Sequence, residues 1–100
     1  MKALVIRPEN QTIEPVDVND RADVAALIGY DTVIADEIGP DGDQLFFDEE
    51  CFLRGTAGRF QIDQVVPVSG VGVVVGSDGQ GGLGDAASSP ESILARLKYL

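Results

Sequence analysis

Ala3-Leu4-Val5-Ile6-Arg7-Pro8, then Glu9-Asn10-Gln11, then Thr12-Ile13-Glu14-Pro15-Val16-Asp17-Val18 is the stretch on which the fold reading turns. Four consecutive strand-forming apolar residues closed by a proline read as a strand buried on both faces. The polar triplet is a turn, and the segment after it returns as a second strand. Pro15 places that second strand at an edge, because proline has no N–H to give a neighbouring ladder. A hairpin at the start, with short connections after it, favours antiparallel pairing over crossover connections.

Working outward, Asn19 or Asp20 caps a short helix. Asp20 and Asp23 lie at its positive end, Val24, Leu27 and Ile28 share a face, and Gly29 stops it. Thr32 to Ala35 and Gln44 to Phe47 read as a second hairpin around Gly39-Pro40-Asp41-Gly42-Asp43, residue types that suit tight turns. Cys51-Phe52-Leu53 reads as a further extended piece, Arg59 to Ile62 is ambiguous, and Val71 to Val75 is another apolar strand. Gly76 to Asp85 is glycine-dense and reads as a mobile loop. Ser89 caps a last helix with Pro90 at its first position, and Ile93, Leu94, Leu97 and Leu100 follow at helical spacing. The expectation is an α+β fold: one domain over residues 1–100, with a mainly antiparallel sheet of about five strands and two short helices on one face.

With 44% apolar and 24% charged residues over 100 positions, the chain has the make-up of one small globular domain. It opens with neither a secretory leader pattern nor a membrane-length apolar run, and Cys51 is its sole cysteine. These features point to the cytoplasm. Seventeen acidic against seven basic residues give a net charge of −10, and the acids Asp31, Asp36, Glu37, Asp41, Asp43, Asp48, Glu49 and Glu50 crowd residues 31–50 with no Lys or Arg among them. A field of that sign repels phosphate backbones and anionic lipid, which disfavours direct nucleic-acid and membrane binding.

Gly79-Gln80-Gly81-Gly82-Leu83-Gly84 carries the letters of a dinucleotide fingerprint, but no helix opens there and the acid expected about 20 residues on is absent. No cofactor is expected. Setting Gly42 at the central glycine of a calcium loop leaves Gly39 at the third position and Asp48 in place of the bidentate glutamate, so no EF-hand forms. The absence of histidine removes Ser-His and Cys-His pairs, and Cys51, preceded by three acids, is expected to be a small buried apolar residue.

The opening Met1-Lys2-Ala3-Leu4-Val5-Ile6-Arg7-Pro8, the helix end Ile28-Gly29, Leu45 with Asp48-Glu49-Glu50, and Pro67-Val68-Ser69-Gly70-Val71-Gly72-Val73-Val74-Val75-Gly76 together resemble a family of small proteins. That family is catalogued as a domain of unknown function and scattered through bacteria, phages and plasmids. The chain departs from the family pattern between Gly55 and Ile62, where many members carry a Pro and Asn turn followed by an alanine. The resemblance brings no activity or catalytic residue; it implies an accessory protein of mobile elements or their hosts.

The leading functional expectation is therefore a non-enzymatic accessory or protein-interaction module. Its contact residues would be Asp41, Asp43, Asp48, Glu49 and Glu50, which could mimic a row of phosphates toward a basic protein partner. A small-ligand binder with residues 76–85 as a lid, a carboxylate-dependent metal enzyme, and a protein whose acidity only reflects a saline cytoplasm stand as alternatives.

Overall fold

The first strand is apolar on both faces because it lies inside the sheet. A computed structural model describes residues 1–100 and places β1 (Lys2–Arg7) between β2 (Thr12–Asp17) and β7 (Gly72–Ser77). The remaining elements are α1 (Arg21–Ile28), β3 (Val33–Glu37), β4 (Gln44–Asp48), a 3-10 turn (Cys51–Leu53), β5 (Arg59–Ile62), β6 (Val68–Ser69), β8 (Leu83–Gly84), α2 (Pro90–Arg96) and β9 (Leu97–Tyr99). The main sheet runs β2-β1-β7-β4-β3 with every neighbour antiparallel, and β8 folds back on the end of β7. A smaller antiparallel sheet, β6-β5-β9, packs beside it. The fold is α+β, as the hairpin reading anticipated, and β2 with its Pro15 is an edge.

Strand alternation divides the interior into two layers. Ala3, Val5, Phe46, Val73 and Val75 point to one side of the main sheet and bury Val24 and Ile28 of α1. Leu4, Ile6, Leu45, Phe47 and Val74 point to the other and bury Phe60, Ile62 and Val68 of the small sheet with Ile93 of α2. The helices thus lie on opposite faces, not on one. The physical reason is the sheet itself: central strands apolar on both sides need a cover on each, and full burial of each such side chain contributes about 1.5–3 kcal/mol.

Local chemistry sets the helix ends. The Asp20 carboxylate accepts from Asp23 N–H at 3.0 Å, and the Asp23 carboxylate accepts from Asn19 N–H at 2.8 Å. Gly29 closes α1 in the left-handed region at φ 92°, its N–H bonded to Ala25 carbonyl at 2.8 Å, a conformation that costs other residues about 1–2 kcal/mol. Ser89 and Ser92 form a reciprocal cap at the start of α2.

Three further readings are corrected. The last helix does not run to Leu100: Leu97 to Tyr99 become a strand that pairs with Phe60 to Ile62, leaving Leu94 and Leu100 exposed. Cys51 to Leu53 form a 3-10 turn instead of an extended piece. Residues 76–85 hold a hairpin: β7 and β8 pair across a turn in which the Asp78 carboxylate accepts from Gln80 and Gly82 N–H groups at 2.7 and 2.9 Å. The glycine run that mimics a dinucleotide fingerprint is this turn. No helix is long and apolar enough to cross a membrane.

Candidate functional site

Five short segments, two of them nearly contiguous and the rest distant in sequence, meet at one end of the molecule. They are the end of β1 with its turn (Arg7 to Asn10), the end of α1 (Ile28, Tyr30), the exit from β4 (Asp48, Cys51), the connection to β5 (Arg54, Thr56, Ala57), and the exit from β6 (Ser69 to Val71). Between them lies a cleft of about 390 Å³, within the range typical of small-molecule sites. Its floor is formed by the buried Ile28, Cys51, Ser69 and Gly70, and its rim by the exposed Glu9, Asn10, Arg54 and Ala57.

Glycine makes the wall possible. Gly58 adopts φ 80°, and a Cβ there would stand 2.5 Å from the Glu9 nitrogen and 2.7 Å from the Pro8 carbonyl carbon. The Gly58 carbonyl accepts from Gly70 N–H at 3.1 Å, tying the wall to the end of β6. Beside it the Thr56 and Ser69 hydroxyls are 2.9 Å apart, and Ser69 N–H donates to Cys51 Sγ at 3.4 Å.

Asp48 anchors the opposite wall. Its buried carboxylate accepts from the Thr32 hydroxyl, from Glu50 N–H at 3.0 Å and from Arg54 Nε at 2.9 Å. Burial opposes ionisation of this carboxyl, but the donors from Thr32, Arg54 and Glu50 together outweigh it and hold Asp48 below the usual carboxylate range. The same bond to Asp48 holds the Arg54 guanidinium more firmly protonated. Arg54 also reaches Glu50 at 3.2 Å and stacks over Tyr30 at 4.3 Å from the ring centre. Arg7, by contrast, enters no salt bridge. The lining's Arg7 and Arg54 balance Glu9 and Asp48, so its formal charge is zero in a chain of −10.

The five acids proposed as a contact surface do not share one. Asp43 is 2% exposed and its carboxylate accepts from Ala87 and Ser88 N–H groups at 2.8 and 2.9 Å. Asp48 is 3% exposed and engaged as above. Both carboxylates satisfy donors that the fold would otherwise leave unpaired. Asp41, Glu49 and Glu50 are exposed, with Glu50 paired to Arg54. Residues 76–85, considered as a lid, contribute nothing to the cleft lining.

Sequence reasoning missed Arg7, Tyr30, Arg54, Thr56 and Ser69. The available signal was Arg7 itself, a basic residue ending a buried strand in an acidic chain. No group of three or more Cys, Asp or Glu side chains is placed to hold a metal ion, so the metal-enzyme alternative gains no geometric support. Cys51 is buried, with its sulfur already accepting from Ser69 N–H. Native protein at neutral pH is therefore expected to react with iodoacetamide far more slowly than protein unfolded in urea, as mass spectrometry would measure; equal rates would contradict the burial.

No known protein family, curated protein or solved structure matches the chain.

Proposed function

We propose that the chain is a non-enzymatic binding domain whose cleft takes a small ligand with an apolar body and one carboxylate or phosphate group. The observation that carries this is Arg7: an arginine without an ionic partner beside a cleft whose lining includes the apolar Ile28, Val71 and Cys51. Thr56 and Ser69 add hydroxyls that orient a polar head. Arg54 is held by Asp48 and shapes the wall. The chain has no histidine to activate a nucleophile, and its one thiol, Cys51 in the cleft floor, is buried with its sulfur accepting from Ser69 N–H.

The test is calorimetric titration with phenyl phosphate and benzoate, against phenol as the uncharged control. Saturable binding of either anion is expected, weakened at least about tenfold by Arg7→Met, since a charge-assisted hydrogen bond contributes about 1.5–3 kcal/mol. Arg59→Met, a change outside this cleft, should leave binding unchanged. Absence of saturable binding, or equal binding by the Arg7 variant, would overturn the reading.

A further inference from the structure

The main sheet ends on one side in a strand with nothing beside it. β3 pairs with β4 alone. The Thr32 carbonyl accepts from Glu49 N–H and Ile38 N–H donates to the Asp43 carbonyl, so the even-numbered positions from 32 to 38 direct their backbone groups toward β4. Val33, Ala35 and Glu37 must therefore direct theirs outward. The Val33 carbonyl is taken by the Arg21 guanidinium at 3.2 Å. The Val33 and Glu37 N–H groups, both backbone groups of Ala35 and the Glu37 carbonyl enter none of the hydrogen bonds made outside the regular pairing.

Edges like this are normally blunted by proline, lysine, a bulge or a cover. The opposite edge, β2, carries Pro15 and packs under α2, as expected. β3 has neither proline nor lysine, its two charged residues, Asp36 and Glu37, are both acidic, and its Val33, Ile34 and Ala35 side chains are half-buried.

We propose that the open edge of β3 receives an extended segment of another protein bearing alternating lysine or arginine, which joins the sheet as a further strand. Charge selects this occupant. Asp31, Asp36, Glu37 and Glu49 lie on or beside the edge strand and its partner; of the three arginines bonded along it, Arg54 at Thr32 is paired with Asp48 and Glu50 and Arg96 at Ile38 is paired with Asp63, which leaves Arg21 as the one without an ionic partner. A second copy is the disfavoured occupant. Antiparallel self-pairing centred on Ala35 would bring together two molecules of charge −10 each, and that net repulsion disfavours it. The same acids that repel a copy attract a basic strand, so pairing and charge act together. One end of β3 abuts the cleft wall, where Val33 pairs with Asp48, but no residue of β3 lines the cleft, so the fate of this proposal leaves the ligand reading where it stands.

The probe is a seven-residue capped peptide alternating valine with lysine, compared with its valine–glutamate counterpart. Binding is followed by fluorescence anisotropy and by amide hydrogen exchange of the unmodified protein. The lysine peptide should bind and slow exchange at the Ala35 and Glu37 amides, and the glutamate peptide should not bind. Ala35→Pro removes only an outward N–H and keeps the net charge; it should weaken binding at least about tenfold. The double change Asp36→Asn with Glu37→Gln should weaken binding and flatten its dependence on salt. Equal binding by Ala35→Pro would show attraction without strand addition and overturn the proposal. So would protection confined to other amides, or sedimentation showing that two copies of the chain pair through β3. The exchange measurement uses wild-type protein, so it decides the matter even if the proline variant fails to fold.

Discussion

Replacing Asp48 with alanine is expected to lower the unfolding free energy by about 3 kcal/mol, because it strands a hydroxyl, a backbone N–H and a guanidinium around a buried site. Urea denaturation at neutral pH measures it, and a loss within about 0.5 kcal/mol, the range of ordinary surface changes, would contradict the burial described. Asp48 also predicts a pH dependence. Its folded carboxyl titrates below the unfolded value of about 3.9, so the native state favours the ionised form. The resulting stabilisation is fully present above the unfolded value and is lost as pH falls through the folded one. The stability gap between wild type and Asp48→Asn should therefore be widest above about pH 5 and shrink in acid. A gap that widens in acid would reverse the assigned direction.

Gly58→Ala should cost about 3 kcal/mol, the sum of about 1–2 for a left-handed residue with a Cβ and about 1–3 for overpacking. The overlap is with backbone, the Glu9 nitrogen at 2.5 Å and the Pro8 carbonyl carbon at 2.7 Å, which cannot rotate away as a side chain would. The wall carrying Thr56 and Ala57 must then shift from the Arg7 turn, so the variant should lose ligand binding even in the fraction that remains folded. Gly55→Ala has a positive φ but open space around its Cβ position. It should show the backbone cost alone and keep the cleft. Thermal unfolding of the two variants side by side separates crowding from backbone strain, and equal losses would remove the close approach at Gly58 as a cause.

Much of the fold was legible because it rests on local chemistry. Ala3 to Ile6 read as a buried strand and Val71 to Val75 as an apolar one from composition, Pro15 marked an edge, and Asn19 or Asp20, Gly29 and Ser89 marked helix ends. The two-sided burial expected for residues 3–6 already required covers on both faces of the sheet, and placing both helices on one face overlooked that. The spacing of Ile93, Leu94, Leu97 and Leu100 fits a helix, but Leu97 and Tyr99 also alternate. The pairing of β9 with β5, a contact across more than 30 residues, decided between them.

The candidate site was far less legible. A carboxylate in a turn reads as exposed until the donors it serves are known, and those of Asp43 come from Ala87 and Ser88, 44 and 45 positions away. Arg7, Tyr30, Thr56 and Ser69 have no common spacing. Only the crossing of five segments makes them neighbours. The edge at β3 was half visible: Thr32 to Ala35 read as a strand, while its place at the end of the sheet depended on β7 inserting between β1 and β4.

Binding of an anion with an apolar body in the cleft beside Arg7 can be followed residue by residue in a nitrogen–proton correlation spectrum recorded during titration with phenyl phosphate. Saturable shifts are expected at Arg7, Thr56, Ser69, Gly70 and Val71, with the Ala35 and Glu37 amides of the sheet edge unmoved. Shifts scattered over the surface without saturation, or a saturable set centred away from these five residues, would contradict it.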